Sequence, residues 1–354
     1  MVHRVLKIKL LIVVLALFAS TACSGNSGET EQDTTSDNTG SIVSNAVMDE
    51  IWATSCLDDD LTERKAAFAK LQGYADDCSS LTFSSYLTAD ETLASSLEKS
   101  MEIIGCYNKA FEKVLKEIQD VKPADGEVVV WLLYNMGYIV KTSSGAFGID
   151  IFHRRAAELA PYLDFYAMTH VHNDHKSVAL ADAMIARGKP VLSNFYEGGN
   201  SNREYYSESG KDFTIGSFSI HSFITNHNNS ETENVPVTVF CVDCGSKADN
   251  CIIMHSGDSN FRPEQFDSVR DTDIDVYILR YAPNALTENN VVGSVFAPKY
   301  CLMSHILELT HKDPENSRWT LEQGLERASR LNCINSIMPF WGEKIVWRNS
   351  KLNK

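Results

Sequence analysis

Three histidines and one aspartate lie within six residues near the middle of the chain. They are His170, His172, Asp174 and His175, in the run Thr-His-Val-His-Asn-Asp-His. Imidazole nitrogens bind zinc, iron and similar metals, and a carboxylate adds negative charge that balances the cation. The chain has ten histidines in all, so this concentration in one stretch indicates a metal site rather than a chance surface cluster.

The residues on either side of this run predict a strand before it and a helix after it. Residues 165–168 are apolar and typical of a buried strand, and residues 177–186 are typical of a helix. His170 and His172 share one face of the extended segment, because side chains alternate along such a backbone. Asp174 and His175 follow a turn and can face a second metal. The run therefore lies at the end of a strand, where catalytic groups are often found.

Three later residues continue this pattern. His227 and His305 each come at the end of a segment that is predicted to be a strand, and Asp258 ends the motif His-Ser-Gly-Asp shortly after the strand-like residues 251–254. In their order and spacing these motifs resemble the metal ligands of the metallo-β-lactamase fold superfamily. The resemblance spans about residues 127–345. Glu308 and His311, in the run Ser-His-Ile-Leu-Glu-Leu-Thr-His, are expected to support His305 rather than to bind the metal.

The resemblance implies an α/β fold, the four-layer αββα metallo-β-lactamase sandwich, in residues 127–345. The alternation of predicted strands and helices in this region fits such layers. A helical N-terminal segment is predicted at residues 42–122, where apolar residues between Leu93 and Ile118 recur every three, four or seven positions, as on one face of a long helix. Whether this segment caps a cleft, forms an interface or only packs on the sandwich stays open.

The resemblance also implies which residues would bind metal. One divalent cation would take His170, His172 and His227, a second would take Asp174, His175 and His305, and Asp258 would bridge the two. Two such cations acidify a shared water molecule to a pKa of about 7, which makes hydroxide available at neutral pH. Asp174 is the candidate catalytic residue, because it could orient this hydroxide and carry a proton.

A metal-dependent hydrolase is therefore the expected function, with two divalent cations, zinc first and manganese or iron as alternatives. The expected substrate is a small molecule with an ester, lactone, amide or phosphodiester bond. His172 favours hydrolysis, because flavodiiron relatives carry glutamate at this position. Two alternatives stay open, namely a mononuclear-iron thiol dioxygenase and a non-catalytic binding or sensory lipoprotein.

The charge of the chain argues against nucleic acid as a substrate. The formal net charge is −15, and an acidic surface repels a phosphate backbone. The 46 residues between Asp258 and His305 also leave no room for the large domain that nuclease relatives carry there. The oligomeric state is not predicted.

The start of the chain predicts export. Three basic residues precede the uncharged, mostly apolar residues 10–19, and residues 1–22 are therefore predicted to be a secretory signal that is too short to span a bilayer. The run Ser-Thr-Ala-Cys resembles a bacterial lipobox, in which Cys23 is lipidated and attaches the protein to a membrane. Cleavage after Ala22, giving a periplasmic or secreted soluble protein, is the alternative.

The segment after Cys23 is acidic and almost without apolar side chains. Residues 23–41 are therefore predicted to be a disordered tether between the lipid and the folded protein, which would be a cell-envelope lipoprotein. An exported protein meets an oxidising compartment, where disulfides persist. Cys241, Cys244 and Cys251 flank a predicted hairpin, so one cross-strand disulfide is one interpretation and free buried thiols are the other.

Overall fold

Two seven-stranded β-sheets dominate the described residues of the computed structural model, which are 39–227, 235–312 and 318–354. Sheet A contains β1 (Val128–Tyr134), β2 (Gly137–Thr142), β3 (Gly145–Ile149), β4 (Phe165–Met168), β5 (Val191–Ser193), β13 (Lys344–Arg348) and β14 (Lys351–Asn353). Sheet B contains β6 (Asp212–Ile215), β7 (Phe218–Asn226), β8 (Pro236–Asp243), β9 (Ile252–His255), β10 (Val276–Arg280), β11 (Tyr300–Ser304) and β12 (Asn335–Ile337).

The two sheets share an apolar core along their facing sides. Val130 of sheet A belongs to the same buried cluster as Ile253 and Ile278 of sheet B. The intervening side chains of β1 point the other way, so that Trp131 packs with Phe111 in a separate cluster. All seven residues of β1 are buried, which explains why its sequence is a continuous apolar run rather than an alternating one.

Helices cover the outer face of each sheet. In chain order they are α1 (Thr39–Ala53), α2 (Thr62–Asp76), α3 (Ser80–Thr88), α4 (Glu91–Ser100), α5 (Glu102–Asp120), α6 (Val178–Ile185) and α7 (Leu321–Ser329). Helices α5 and α6 supply buried side chains to the cluster outside sheet A, and α7 packs on the outer side of sheet B next to β11. The predicted four-layer αββα sandwich, preceded by helices, is confirmed.

The prediction of one long helix from Leu93 to Ile118 is wrong, because the chain breaks at Met101. This residue adopts an extended conformation, with φ −122° and ψ 104°, and separates α4 from α5. Leu93 is also 48 % exposed, so it does not continue the buried face of α5. A regular apolar spacing can run across a break that only tertiary packing imposes.

Several predictions about the envelope fall outside the described residues. The signal peptide at residues 1–22, Cys23 and the tether up to residue 38 are not described, and α1 begins at Thr39. Among the helices that are described, none is long and apolar enough to cross a bilayer. All eight cysteines in the described residues are free thiols, and seven of them are buried. The backbone N–H of Cys244 donates a hydrogen bond to the carbonyl of Cys251 across the hairpin. The two thiols are not joined by a disulfide, so the structure agrees with the interpretation of free buried thiols.

A buried ion pair joins the N-terminal helices to the last part of the chain. Arg64 in α2 is 1 % exposed, and its Nη2 lies 2.5 Å from Oε2 of Glu343, just before β13. Glu343 also accepts hydrogen bonds from the backbone N–H groups of Cys56 and Phe340. Its carboxylate is therefore satisfied only when α2, the segment after α1 and the start of β13 are all in place.

We expect the substitution Arg64→Met to destabilise the protein strongly. It leaves the carboxylate of Glu343 buried without its partner, which typically costs about 3–5 kcal/mol of unfolding free energy. The matched control is Lys70→Met, which removes the partner of Glu50 at 2.7 Å in a solvent-exposed pair and should cost less than about 1 kcal/mol. Urea unfolding followed by circular dichroism measures both, and equal effects of the two substitutions would contradict the prediction.

Candidate metal centre

Four strands bring the predicted ligands to one edge of the sandwich. β4 leads into the run from His170 to His175, β7 leads to His227, β9 to Asp258 and β11 to His305. In sheet B the strands β9, β10 and β11 are parallel, and β7 is antiparallel to β8, which is antiparallel to β9. β7 therefore runs in the same direction as β9 and β11, so the carboxyl ends of all three meet at the same edge.

The structure brings all seven predicted ligands together at this edge. They form three overlapping groups, and the donor atoms of each group lie within 4.8 Å of one another. The first group is His170, His172 and His227, the second is His170, His175 and Asp258, and the third is Asp174, His175 and His305. The first and third groups are the two ligand sets expected from the sequence. The second group joins them through Asp258.

Asp258 lies between the two ligand sets. Its Oδ2 is 3.2 Å from Nε2 of His227 and 3.3 Å from Nε2 of His305, and its Oδ1 is 3.4 Å from Nε2 of His175. His227 belongs to the first set, whereas His175 and His305 belong to the second. The carboxylate therefore lies within 3.4 Å of a histidine nitrogen from each of the two sets.

The donor atoms of this site fit divalent cations. Among the described residues, buried atoms without a hydrogen-bond partner include Nε2 of His170, His175 and His227, Nδ1 of His305 and Oδ1 of Asp258. Burying polar atoms without partners is costly, and a cation would remove that cost for those that face it. Imidazole and carboxylate donors suit zinc, manganese and iron.

Charge is tightly balanced among these side chains. Burial holds the pKa of His170 well below its ordinary value, so its imidazole is neutral and able to bind a metal. Burial alone would lower the pKa of His305, but the carboxylates of Asp258 and Asp174 raise it to about 9. Burial would raise the pKa of Asp258, but His305 and His175 hold it well below its usual range. Positive charge on His305 and His175 thus offsets the negative charge of the buried carboxylates.

Asp150 supports two of the histidines from behind. Its Oδ2 lies 2.8 Å from Nδ1 of His175 and accepts a hydrogen bond of 2.6 Å from the hydroxyl of Thr169, and its Oδ1 accepts the Thr169 N–H. The Thr169 hydroxyl is in turn 3.0 Å from Nδ1 of His170. A proton on Nδ1 of His175 directed at this carboxylate leaves Nε2 available for a metal.

Asn135 links the hairpin between β1 and β2 to both sides of the site. Its side-chain amide donates to Oδ2 of Asp174 at 3.0 Å, and its backbone carbonyl accepts the N–H of His305. Asn135 has a φ of 53°, a left-handed conformation that asparagine tolerates better than most residues. The roles of Asn135 and Asp150 are not predicted by the sequence, in which the only signal is their position at a turn and at a strand end.

The segment after His305 is held by buried polar contacts. Glu308 is fully buried and accepts hydrogen bonds from the Tyr134 hydroxyl and the His311 N–H. The His311 ring lies beside that of His305, with centroids 5.7 Å apart. Arg318 donates to the carbonyls of His311 and Leu309, and also to those of Ala75 and Cys78 at the end of α2. The N-terminal helices thus help to hold the loop that carries His305.

The remaining histidines of the described residues have contacts outside the site. His221 pairs with the exposed Asp212, His255 lies 2.8 Å from the carbonyl of Met136, and His153 stacks on Phe111 with centroids 3.8 Å apart. None of them belongs to a group of potential metal ligands among the described residues.

Comparisons with known proteins identify distant structural likenesses. No known protein family and no curated protein matches the sequence. The structure of Igni18, a metallo hydrolase from Ignicoccus hospitalis, is 16 % identical with a TM-score of 0.44, covering 63 % of this chain and 99 % of that one. The metallo-β-lactamase fold protein YhfI from Bacillus subtilis is 15 % identical with a TM-score of 0.43, covering 62 % and 99 %.

A third structure has a different reaction in its description. CmlA, a diiron β-hydroxylase from Streptomyces venezuelae, is 12 % identical with a TM-score of 0.44, covering 64 % of this chain and 55 % of that one. At these identities and scores, the likenesses carry no conclusion about the chemistry of this chain. The function is therefore inferred from the geometry of its own residues.

We expect the substitution Asp150→Asn to weaken zinc binding by about 10–100-fold, because the histidines that it orients lose their support. The matched control is Asp212→Asn, since Asp212 also lies 2.7 Å from a histidine nitrogen but in an exposed pair distant from the ligands. Competition with a chromophoric chelator measures the dissociation constant of each variant. Unchanged zinc affinity in Asp150→Asn would show that the carboxylate does not orient the ligands.

Proposed function

We propose that the protein is a metal-dependent hydrolase that uses two divalent cations to cleave an ester, lactone, amide or phosphodiester bond in a small molecule. The observation that carries this proposal is the convergence of two sets of nitrogen and oxygen donors on one buried carboxylate, Asp258. Zinc is the first choice of metal because three donors with one shared carboxylate suit its four-coordinate preference.

The two sets of ligands have different exposure, and this suggests where the substrate lies. His170 and His175 are fully buried, whereas His172 and His227 are partly exposed, with 12 % of the His227 side chain accessible. The first set would therefore face solvent through His172 and His227. We propose that the bond to be cleaved approaches from this exposed side, whereas His170 and His175 lie on the buried side of the site.

The cations would supply hydroxide at neutral pH by acidifying water, and would stabilise negative charge on the electrophile. Asp174 would accept the proton that the nucleophilic water loses. Its Oδ2 is fixed by the amide of Asn135 at 3.0 Å and lies 3.2 Å from Nε2 of His175. This carboxylate is buried, so its orientation does not depend on solvent.

Two alternatives are weaker on the same observations. A mononuclear-iron thiol dioxygenase needs one set of ligands, and leaves the second set of Asp174, His175 and His305 without a purpose. A binding or sensory protein without turnover does not need a proton acceptor positioned like Asp174. The complete second set therefore favours the dinuclear hydrolase.

The substrate class and the cellular location are proposed from the sequence. The net charge of −15 favours a small substrate over nucleic acid. The lipobox-like run before Cys23 favours a cell-envelope lipoprotein anchored to the membrane, with a soluble periplasmic or secreted protein as the alternative.

The first test is the metal content of the full chain, purified without added metal and measured by elemental mass spectrometry. About two zinc or manganese ions per chain, together with turnover of 4-nitrophenyl ester, lactone or phosphodiester probes, are the expected result. About one iron per chain and oxidation of thiols would favour the dioxygenase. A chain that contains no metal and takes up none would rule out the proposed chemistry.

We expect the substitution Asp258→Asn to reduce turnover by at least about 100-fold, because even supporting residues of metal sites contribute about 10–100-fold. Circular dichroism should show a retained fold. The matched control is Asp267→Asn, which removes an exposed carboxylate that pairs with Arg270 and should leave turnover unchanged. Retained turnover in the Asp258→Asn variant would contradict the assignment of Asp258 as the bridging ligand.

A further inference from the structure

One arginine lies at the edge of the sheet that carries the metal ligands. Arg280 ends β10, and the parallel register places it beside Ser304, which directly precedes His305. On the other side of β10 lies β9, which leads to Asp258. Arg280 thus lies between Ser304, which precedes His305, and the strand that leads to Asp258.

The side chain of Arg280 belongs to the inner side of sheet B. Val276 and Ile278 are part of the core between the two sheets, whereas Tyr277 and Leu279 are part of the cluster on the helix-covered side. Because side chains alternate along a strand, Arg280 shares the inner side of Ile278.

The guanidinium group is held close to two ligands. Its Nε donates to the carbonyl of Ser259 at 3.1 Å, and its Nη2 donates to the carbonyl of His227 at 3.2 Å. Ser259 directly follows Asp258, and His227 is itself a predicted ligand. Two backbone contacts thus fix the plane of the guanidinium beside the site.

Part of this group has no partner in the described part of the chain. A guanidinium has five N–H donors, and the two hydrogen bonds to carbonyls leave Nη1 unused. No carboxylate among the described residues lies within ion-pair distance of Arg280. Burial raises the pKa of the nearby Glu288, and the charges of Arg327 and Arg280 oppose this; only Arg327 pairs with Glu288 directly, with its Nε 3.1 Å from Oε1.

The charge of Arg280 would not help to hold cations. Two divalent cations would bring four positive charges, and the carboxylates of Asp150, Asp174 and Asp258 would supply three negative ones. With one bound hydroxide the centre would be neutral, and Arg280 would give it a net positive charge. Such a group is favourable beside the site when the substrate itself brings negative charge.

We propose that Arg280 binds an anionic oxygen group of the substrate, a carboxylate or a phosphate, so that this enzyme acts on anionic small molecules. The inference rests on the proposed function for the identity of the bound molecule. The planar fork of an arginine suits both groups, since it can form two parallel hydrogen bonds to their oxygen atoms. Arg280 is a specificity residue and takes no part in the proton transfer.

The first measurement is binding of inorganic phosphate to the zinc-loaded full chain by calorimetry. We expect Arg280→Gln to weaken this binding by at least about tenfold, as the loss of a charge-assisted hydrogen bond predicts, and Arg280→Lys to restore part of it. Zinc content and melting temperature are measured on each variant. The matched control is Arg270→Gln, which alters a partly exposed arginine that pairs with Asp267 and should leave phosphate binding unchanged.

The second measurement compares esters that differ in charge. The probes are mono-4-nitrophenyl succinate, its neutral methyl ester and bis(4-nitrophenyl) phosphate. We expect Arg280→Gln to raise the KM of an anionic probe by at least about tenfold and that of the neutral ester by less than about twofold. The anionic probe with the larger change identifies the carboxylate or the phosphate as the preferred group.

The outcomes separate this inference from the proposed function. Equal loss on neutral and anionic esters, a fall in zinc content, or phosphate binding that is absent or independent of Arg280 would overturn the anion site. If the esters are still hydrolysed in those cases, the proposed hydrolase function is retained and only the anion site is rejected. Phosphate binding that depends on Arg280 in a zinc-loaded chain without any turnover would support the anion site and contradict the hydrolase.

Discussion

The structure depends on holding several buried charges together at one edge of the sandwich. Asp258 and Asp174 are buried among histidines whose nitrogen atoms lie 3.2–3.4 Å from their oxygens. Burial alone would lower the pKa of His175 and of His305, but the carboxylates of Asp174 and Asp258 raise it. Because a metal binds the deprotonated imidazole, a cation in the second ligand set would displace protons from these two histidines, whereas His170 of the first set is already neutral.

The fold meets this requirement with strained but well-supported backbone. Asn135, Asp150 and His305 all have positive φ, at 53°, 50° and 59°, and each such conformation costs on the order of 1–3 kcal/mol. Each of them is also tied to its neighbours by hydrogen bonds from another strand or turn. These three conformations lie at turns that position predicted ligands, and β1, which leads to Asn135, is buried along its whole length.

The residues of the candidate site were predictable because the types and order of His170 to His175, His227, Asp258 and His305 resemble the metal ligands of the metallo-β-lactamase fold superfamily. The structure places these side chains together at one edge of the sandwich. Asp150, Asn135 and Arg64 were not predictable, since each acts through a partner that is distant in sequence or hidden by the hairpin geometry. The break at Met101 was missed because the apolar spacing continues across it, and cysteine spacing does not reveal oxidation state.

One pairing in sheet A has a consequence for how the protein is made. β1 lies between β2 and β13, so one of its two neighbours comes from the last residues of the chain. During synthesis β1 emerges long before β13, and such distant pairing is slow to form. His170, His172 and His227 also leave the ribosome before Asp258 and His305. A cation that encounters the chain early in synthesis would find an incomplete set of ligands. Both cations can therefore bind only after the whole chain has been made and folded.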